Sequence, residues 1–532
     1  MLGYYKKDIE KTEVNNTKPE IARSIFRRIT LFYICGLWLL LSCIKTTKLD
    51  IGTVHIVAGT SKLTGKIITP NRQNKNSIMV SITVLHPISG ENIKYEIPVN
   101  QSGEFAIEVD IETDTTYVGL QTSLEPYKAL MVRLVDSSVT NIDIAYDGGN
   151  KIKYIEVLPA MNLIDMTQST EVLRKMIEYT PDTLGWVYPQ LFDKNIDEFL
   201  KYVAKSAPKR LELFLDSNDM FSKEFKGIIA KDLRLFIYTP DIFDYEDMMK
   251  RNYSNSTGDT IGNPEIQKID RSYFRFLKDF NLNDPQYLQT FMFSEFQLEL
   301  LRNSILDLPE IGESDIPSWL AGVKAILADL VGFDDGQYYD ILTANAYARQ
   351  LNEQVKPLSE KQKEHITHYW KNGEIAKILF RKNQQVVELE KVKSPVVIND
   401  IKSIQKDKVI ETIISKYKGK VIFIDLWATW CAPCLDGIKQ FGRAKRDLKG
   451  KDVVFVYITN TSSPLKLWEE KIKGIGDEHY YLTGEQWEYM MEYFGFEYIP
   501  SYLLYNKEGI LINKFTSFPG NAAIKDMIND LL

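Results

Sequence analysis

Two cysteines held two residues apart, Cys431-Ala-Pro-Cys434, are the positions in this 532-residue chain best suited to covalent chemistry. A thiolate at one cysteine can attack a disulfide, and a second thiol one helical turn away can resolve the mixed disulfide that results. The surrounding sequence supplies that setting. Val421-Ile-Phe-Ile-Asp-Leu-Trp427 is a continuous apolar run of the kind that makes a central strand covered on both faces, and Leu435, Ile438 and Phe441 follow at helical spacing. The cysteines therefore open a helix. Its free amides and macrodipole carry about half a positive charge, which favours a thiolate at Cys431 and makes it the nucleophile. In such settings a thiol pKa falls from about 8.5 to roughly 3.5–7.5. Cys434 is then the resolving thiol, and Pro433 suits a first turn, where a missing amide costs little. The competing reading of a lone pair, half of a zinc site, requires a second pair. The other two cysteines, Cys35 and Cys43, lie near the N-terminus.

The stretch Lys418-Gly-Lys-Val-Ile-Phe-Ile-Asp425-Leu-Trp-Ala-Thr-Trp430-Cys-Ala-Pro-Cys434 resembles the thioredoxin family, and within it the TlpA/ResA-type extracytoplasmic thiol-disulfide oxidoreductases. The likeness covers about residues 395 to 532. A second element fits it: Gly495-Phe-Glu-Tyr-Ile499-Pro500-Ser501, ahead of a strand from Tyr502 to Tyr505. The resemblance implies an α/β thioredoxin fold, a redox disulfide between Cys431 and Cys434, and a cis-proline at Pro500 in a loop facing them. It implies that the backbone of Ile499 pairs with an extended substrate peptide and that Asp425, a buried acid, takes the proton of Cys434 through water. Burial raises a carboxyl's pKa, as a base working near neutrality requires. Trp427 and Trp430 match aromatics that cover the site, core packing being the competing reading, and an equal one for Trp427. Gly437 and Lys439 depart from the pattern, because many relatives place an acid and a helix-kinking proline there; Asp436 is adjacent but would point elsewhere. Pro464 to Tyr493 is longer than in plain thioredoxin and reads as an inserted helical piece. A peroxiredoxin, on a related fold, would need a Pro-x-x-x-Thr-x-x-Cys context that this chain lacks.

Ala432-Pro433 resembles the dipeptides of reducing members more than the Pro-His of a strong oxidant. The implied activity is a protein-disulfide reductase acting on disulfide-containing exported proteins and fed by a membrane thiol electron donor. Oxidase or isomerase is the alternative direction. No metal and no cofactor beyond the redox disulfide are expected.

The N-terminus addresses location. Arg23-Ser-Ile-Phe-Arg-Arg28 is a basic segment followed by an apolar run from Ile29 to Leu41, about 13 residues, which suits a signal peptide better than a spanning helix of about 20. Leu40-Leu41-Ser42-Cys43 resembles a bacterial lipobox, so residues 1–42 read as a lipoprotein signal peptide and Cys43 as a lipidated mature N-terminus that anchors the chain to a membrane. Met1 to Ala22 is long for such a leader; either translation starts later or the leader is extended. The expected location is the cell envelope, facing the periplasm.

Residues 43–54 read as a linker, and 55–157 as a small antiparallel β-sandwich, because apolar residues alternate in Ile93-Lys-Tyr-Glu-Ile-Pro-Val99 and Phe105-Ala-Ile-Glu-Val-Asp-Ile111. The short Asn100-Gln-Ser-Gly103 link makes these two runs a hairpin. Residues 158–390 change period: Ile196, Phe199, Leu200 and Val203 share a helix face behind an Asn195/Glu198 capping box. Asp284-Pro285 and Ser359/Gln362 mark further helix starts, and Gly373 an end. Residues 391–532 complete a three-domain chain: β-sandwich, α-helical domain, thioredoxin-like α/β domain. His365 and His368 lie three apart on one helix, and with no third ligand at compatible spacing a solvated face is the better reading. A net charge of −7 argues against a nucleic-acid partner, whose phosphates require a basic face. Because nearly 400 residues carry no chemical motif, a second function class stays open: a partner-binding lipoprotein that keeps the thioredoxin domain as scaffold.

Overall fold

The alternating runs of the first third form eight strands: β1 (Ile56–Ile68), β2 (Met79–His86), β3 (Glu91–Pro98), β4 (Glu104–Thr113), β5 (Thr115–Thr122), β6 (Leu130–Val135), β7 (Val139–Tyr146) and β8 (Ile152–Leu158). The computed structural model describes residues 54–70, 78–179, 190–216, 220–239, 242–259, 262, 264–391 and 394–532, so the leader and Cys43 lie outside the described residues. The strands make two four-stranded sheets, ordered β4-β1-β7-β8 and β3-β2-β5-β6, whose inward faces meet over Leu63, Ile82, Ile97, Val109, Leu120 and Ile142. Two expectations are corrected. The sandwich is not wholly antiparallel, since β1 pairs with β7 in parallel. The runs on either side of Asn100–Gly103 are not a hairpin: β3 pairs with β2 and β4 with β1, in different sheets. Alternation fixes which face of a strand is buried but not its partner, and this link turns the chain from one sheet to the other.

Nine α-helices follow among the described residues: α1 (Leu163–Glu178), α2 (Ile196–Leu211), α3 (Lys223–Tyr238), α4 (Tyr245–Thr257), α5 (Phe293–Arg302), α6 (Ile316–Val331), α7 (Gln337–Glu353), α8 (Glu360–Trp370) and α9 (Glu374–Glu390). Asn195 caps α2 and Ser359 caps α8, each with a complete capping box. Phe199 and Val203 are buried as their spacing requires. Asp284 also caps a helix, but the element from Pro285 to Gln289 is 3-10 rather than α. Gly373 does not end α8, whose C-cap is Lys371; it is the N-cap of α9. Among the described residues no helix is long and apolar enough to cross a membrane.

The last third builds one six-stranded sheet from β9 (Val396–Asn399), β10 (Val421–Leu426), β11 (Val453–Asn460), β12 (Asp477–Leu482), β13 (Ser501–Tyr505) and β14 (Leu511–Thr516). Its order is β14-β13-β10-β11-β12-β9. β10 runs parallel to β11 and antiparallel to β13, so both its edges are paired; its two faces are covered by separate apolar clusters, and all six of its residues are buried. Helices α10 (Val409–Lys416), α11 (Ala432–Ala444), α12 (Leu465–Ile475), α13 (Gly484–Phe494) and α14 (Asn521–Asn529) complete the layers. The insertion expected to be helical contains a strand, β12, which joins the sheet between β11 and β9. Asp477-Glu-His-Tyr-Tyr-Leu482 is too polar and aromatic for its short period to stand out from the flanking helical patterns.

Residues 53–532 form one compact unit. The sandwich docks on the helices through polar anchors: Arg381 donates to the carbonyls of Gly59 and Ile111 and pairs with Asp110. Asn345 donates to the carbonyls of Pro87 and Ile88. The thioredoxin-like part docks on the helices where Gly474 of α12 meets the Glu353 carbonyl of α7, so closely that a Cβ there would lie 2.4 Å from it. All three parts meet at Glu91, whose carboxylate is buried between Lys382 of α9 and Lys439 of α11. A cleft of about 880 Å³ opens beside this junction and runs along α11 at Leu435 and Ile438.

Candidate active site

The end of β10 delivers Trp427 and the loop 428–430, and α11 begins at once, with Cys431 as its N-cap. Cys431 and Cys434 are joined as a disulfide, their Cα atoms 5.2 Å apart. The Cys431 sulfur accepts a hydrogen bond from the Cys434 amide at 3.2 Å. This amide is one of the unpaired donors of a helix start, and it holds the sulfur where negative charge is stabilised. Cys434 is fully buried, and Cys431 keeps the pair's slight exposure. Pro433 occupies the first turn, as its missing amide permits.

Around the disulfide the structure gathers the other residues singled out by sequence. Pro500 follows a cis peptide bond from Ile499, and Ile499 packs against the apolar cluster that contains both cysteines. Among the described residues Ile499 makes no backbone–backbone hydrogen bond, whereas the Pro500 carbonyl accepts from Ser517. Trp430 is 62% exposed beside Cys431, while Trp427 is fully buried and belongs to the core. Asp436 is exposed on α11 and accepts from Gln440.

Asp425 lies on the face of the sheet beneath α11, buried. Burial pushes its pKa well above the ordinary carboxylate value, against the opposing charge of Lys445. One carboxyl oxygen has no hydrogen-bond partner among the described residues, an arrangement that costs about 1–3 kcal/mol in a buried site. A buried, proton-seeking carboxyl at the end of the strand that leads into the disulfide is chemically able to act as a base.

Sequence reasoning missed four residues. Ser462 accepts the Trp430 indole N–H at 3.0 Å and so fixes the exposed ring. Lys445, Tyr457 and Tyr502 surround Asp425; Lys445 donates to Tyr457 at 3.1 Å and to Asp477 at 2.6 Å. The two tyrosines looked like ordinary strand residues, and only the register, which single-strand patterns do not carry, sets them beside the acid. His365 and His368 take no part: they lie on α8, where the His365 ring meets the Ser314 carbonyl. Among the described residues no three metal-binding side chains cluster.

The strand order, the disulfide at a helix start and the cis-proline loop packed against it together define a thioredoxin-like dithiol module. Part of this chain is similar to several solved structures. One from Bacteroides vulgatus, described as a candidate thiol-disulfide oxidoreductase, is 29% identical over 22% of this chain and 82% of its own, with a TM-score of 0.19. A thioredoxin-family thiol:disulfide interchange protein of Chlorobium tepidum is 21% identical over 22% of this chain and 83% of its own, TM-score 0.20. The pneumococcal exposed lipoprotein thioredoxin of Streptococcus pneumoniae is 23% identical over 22% and 90%, TM-score 0.20. No family model and no curated protein matches. These alignments span about a fifth of the chain, and the site's own geometry carries the functional reading.

Proposed function

We propose that this protein is a thiol-disulfide oxidoreductase that reduces disulfides of exported proteins with the Cys431/Cys434 dithiol. The observation that carries the reading is the cysteine pair at the start of α11 above a buried, partly unpartnered Asp425. The Cys431 thiolate attacks one sulfur of the substrate disulfide; a bond forms between Cys431 and that sulfur, and the other leaves as a thiolate. Cys434 then gives its proton to the Asp425 carboxylate and attacks the Cys431 sulfur. The substrate's first sulfur departs, the Cys431–Cys434 disulfide closes, and two electrons have passed to the substrate. A membrane thiol donor returns them. Trp430 and the Ile499–Pro500 backbone bind the substrate as an extended peptide. The leader and Cys43 place the chain at the cell envelope, facing the periplasm and held to the membrane by acyl chains. No metal or further cofactor enters the cycle.

Equilibration of the full chain in thiol-disulfide buffers, followed by alkylation, tests the direction. We expect a potential near or below about −270 mV, the thioredoxin end of the scale. A value near about −120 mV would reverse the flow and make the protein an oxidant, and the absence of a reversible couple would leave the module a scaffold.

Asp425→Asn tests the base. Release of substrate by Cys434 should slow about 10²-fold at pH 7, the gap narrowing above about pH 9 as the thiol ionises unaided. Stability should move the other way. A carboxyl whose folded pKa is raised holds its proton more tightly in the folded state, so its burial destabilises progressively from about pH 3.9 upward to the folded pKa. The asparagine variant should therefore resist urea better than wild type at pH 8 and equally at pH 3.5. Equal exchange rates across pH would remove Asp425 from the cycle.

A further inference from the structure

Strand register brings three loops to one end of the last sheet. β10 ends at Leu426, opposite Ile458 of the parallel β11 and Ser501 of the antiparallel β13. The chain therefore runs on to the disulfide where β11 gives way to residues 461–464 and where residues 495–500 lead into β13. Two aromatic residues stand exposed in these loops, Trp430 at 62% and Tyr498 at 55%. Trp430 directly precedes Cys431. Tyr498 directly precedes Ile499, which packs against the cluster that holds both cysteines. A lone exposed ring is ordinary on a protein surface; the way these two are held is not.

The Asn460 side-chain oxygen, at the end of β11, accepts from both the amide and the hydroxyl of Ser462, at 3.0 and 2.6 Å. With its proton committed to Asn460, the Ser462 hydroxyl offers only lone pairs, and it accepts the Trp430 indole N–H at 3.0 Å. One residue earlier the backbone is fastened as well: the Thr429 amide donates to the Ser463 hydroxyl at 2.9 Å, and that hydroxyl lies 2.8 Å from the hydroxyl of Thr459. Tyr498 is tied at both ends. Its carbonyl accepts from the Ser501 hydroxyl at 2.6 Å, and its own hydroxyl lies 3.1 Å from that of Thr516, the last residue of β14. Water could satisfy both polar tips at these exposed sites. Here the protein takes each tip and leaves much of each ring open to solvent.

Tryptophan and tyrosine present a large contact area with only two side-chain torsions to order, and a ring already bonded at its tip needs little further ordering when something binds it. A bulky apolar side chain laid on such a ring removes apolar surface from water on both partners. Resting on the dithiol reading above, we propose that Trp430 and Tyr498 form a preset aromatic platform that selects disulfides whose cysteine is flanked by bulky apolar residues. Ser462, backed by Asn460, and Thr516 are its positioning residues. The substrate class follows from the chemistry: large apolar side chains are mostly buried in a folded protein, so the platform meets them on disulfides of unfolded or partly folded chains. Lysine at the same positions is the rival preference, because a cation also rests on an aromatic face.

The test uses the reduced full chain with disulfide-linked dimers of the peptide Gly-Xaa-Cys-Xaa-Gly, Xaa being leucine, alanine or lysine, and with 2-hydroxyethyl disulfide, which has no side chains. Second-order rate constants are read by alkylation, each divided by that of glutathione with the same disulfide so that intrinsic reactivity cancels. We expect wild type to favour the leucine peptide over the alanine peptide about tenfold, with lysine no better than alanine. Tyr498→Ala and Trp430→Ala should each bring the leucine-to-alanine ratio toward unity. Ser462→Ala, which frees the indole, should lower the ratio about threefold, and Ser462→Thr, which keeps the hydroxyl, should restore it; Thr516→Val and Thr516→Ser should repeat the pattern for Tyr498. A merely structural role would slow all four disulfides together and leave the ratios where they were, and that result would overturn the platform while the dithiol cycle stands. Equal rates on the leucine and alanine peptides in wild type, or lysine ahead of leucine, would overturn it too. Should wild type reduce none of the four, the dithiol reading falls and the platform with it. If either aromatic variant is found unfolded, the Ser462 and Thr516 pairs decide: wild-type ratios in Ser462→Ala and Thr516→Val would overturn the proposal.

Discussion

Full-length protein carrying Cys434→Ser should accumulate as a covalent mixed disulfide with its substrates, and Cys431→Ser should accumulate none. The asymmetry follows from place. Cys431 caps α11, with its sulfur against the helix amides and with what exposure the pair has; Cys434 is fully buried one turn in. A thiolate is stabilised at the first position by the half charge of the helix start, and an incoming disulfide beside Trp430 meets that sulfur first. Serine at 434 cannot resolve the intermediate, because a hydroxyl is a weak nucleophile at its free pKa. The trapped species, resolved on non-reducing gels and reversed by dithiothreitol, identifies the substrates by mass. The effect is all or none: trapping should stand far above background in one variant and at background in the other. Equal trapping by both would mean that the roles are not divided as their burial divides them, and trapping by neither would favour the scaffold reading.

How much of this site could be read from the sequence depends on the range over which each feature is encoded. Strand, cysteine pair and helix are contiguous from Val421 to Phe441, so period and spacing announce them together. Pro500 is distant in sequence and was legible only through the resemblance of Gly495–Ser501 to a family element, because nothing local marks a cis X-Pro bond. Tyr457, Tyr502 and Ser462 carry no signature: each meets the site through a neighbour that the chain reaches only after crossing other elements, and strand register is a property of pairs. The same limit produced the false hairpin at Asn100–Gly103, where two well-formed alternating runs belong to different sheets. β12 was missed because a half-buried strand bounded by helices on both sides offers few apolar positions to count. The departures at Gly437 and Lys439 were visible but mute. Their reasons lie in Tyr502 above the one and Glu91 against the other.

Replacing Glu91 by glutamine should destabilise the whole 53–532 unit by roughly 3–5 kcal/mol, the cost of leaving a buried ion without its partner. Glu91 opens β3 in the sandwich, and its side chain is 5% exposed; Lys382 of α9 is 10% exposed and Lys439 of α11 is 42% exposed. Burial alone would raise the Glu91 pKa, but Lys439 and Lys382 outweigh it and hold the carboxyl far below the usual range. A depressed folded pKa contributes stability that is complete above the unfolded value, about 4.3, and is lost as pH falls through the folded one. Wild type should thus weaken only on the acid side, and that part of the acid slope should vanish in Glu91→Gln. Lys439→Ala should cost far less, since water screens that partner, and Glu91→Leu combined with Lys382→Met should recover most of the loss by replacing the ions with apolar packing. Urea titrations of the four proteins at pH 7 and pH 3.5 decide it; a Glu91→Gln loss under about 1 kcal/mol would mean that the carboxylate does not lock the junction. The position of Lys439 gives the result a functional reading. A proline five residues after Cys434 would leave no side chain to reach the sandwich, whereas lysine ties the cysteine helix to both other parts of the chain. Loosening that tie would open the cleft along Leu435 and Ile438 to water, so Glu91→Gln should also make α11 exchange its amide hydrogens faster.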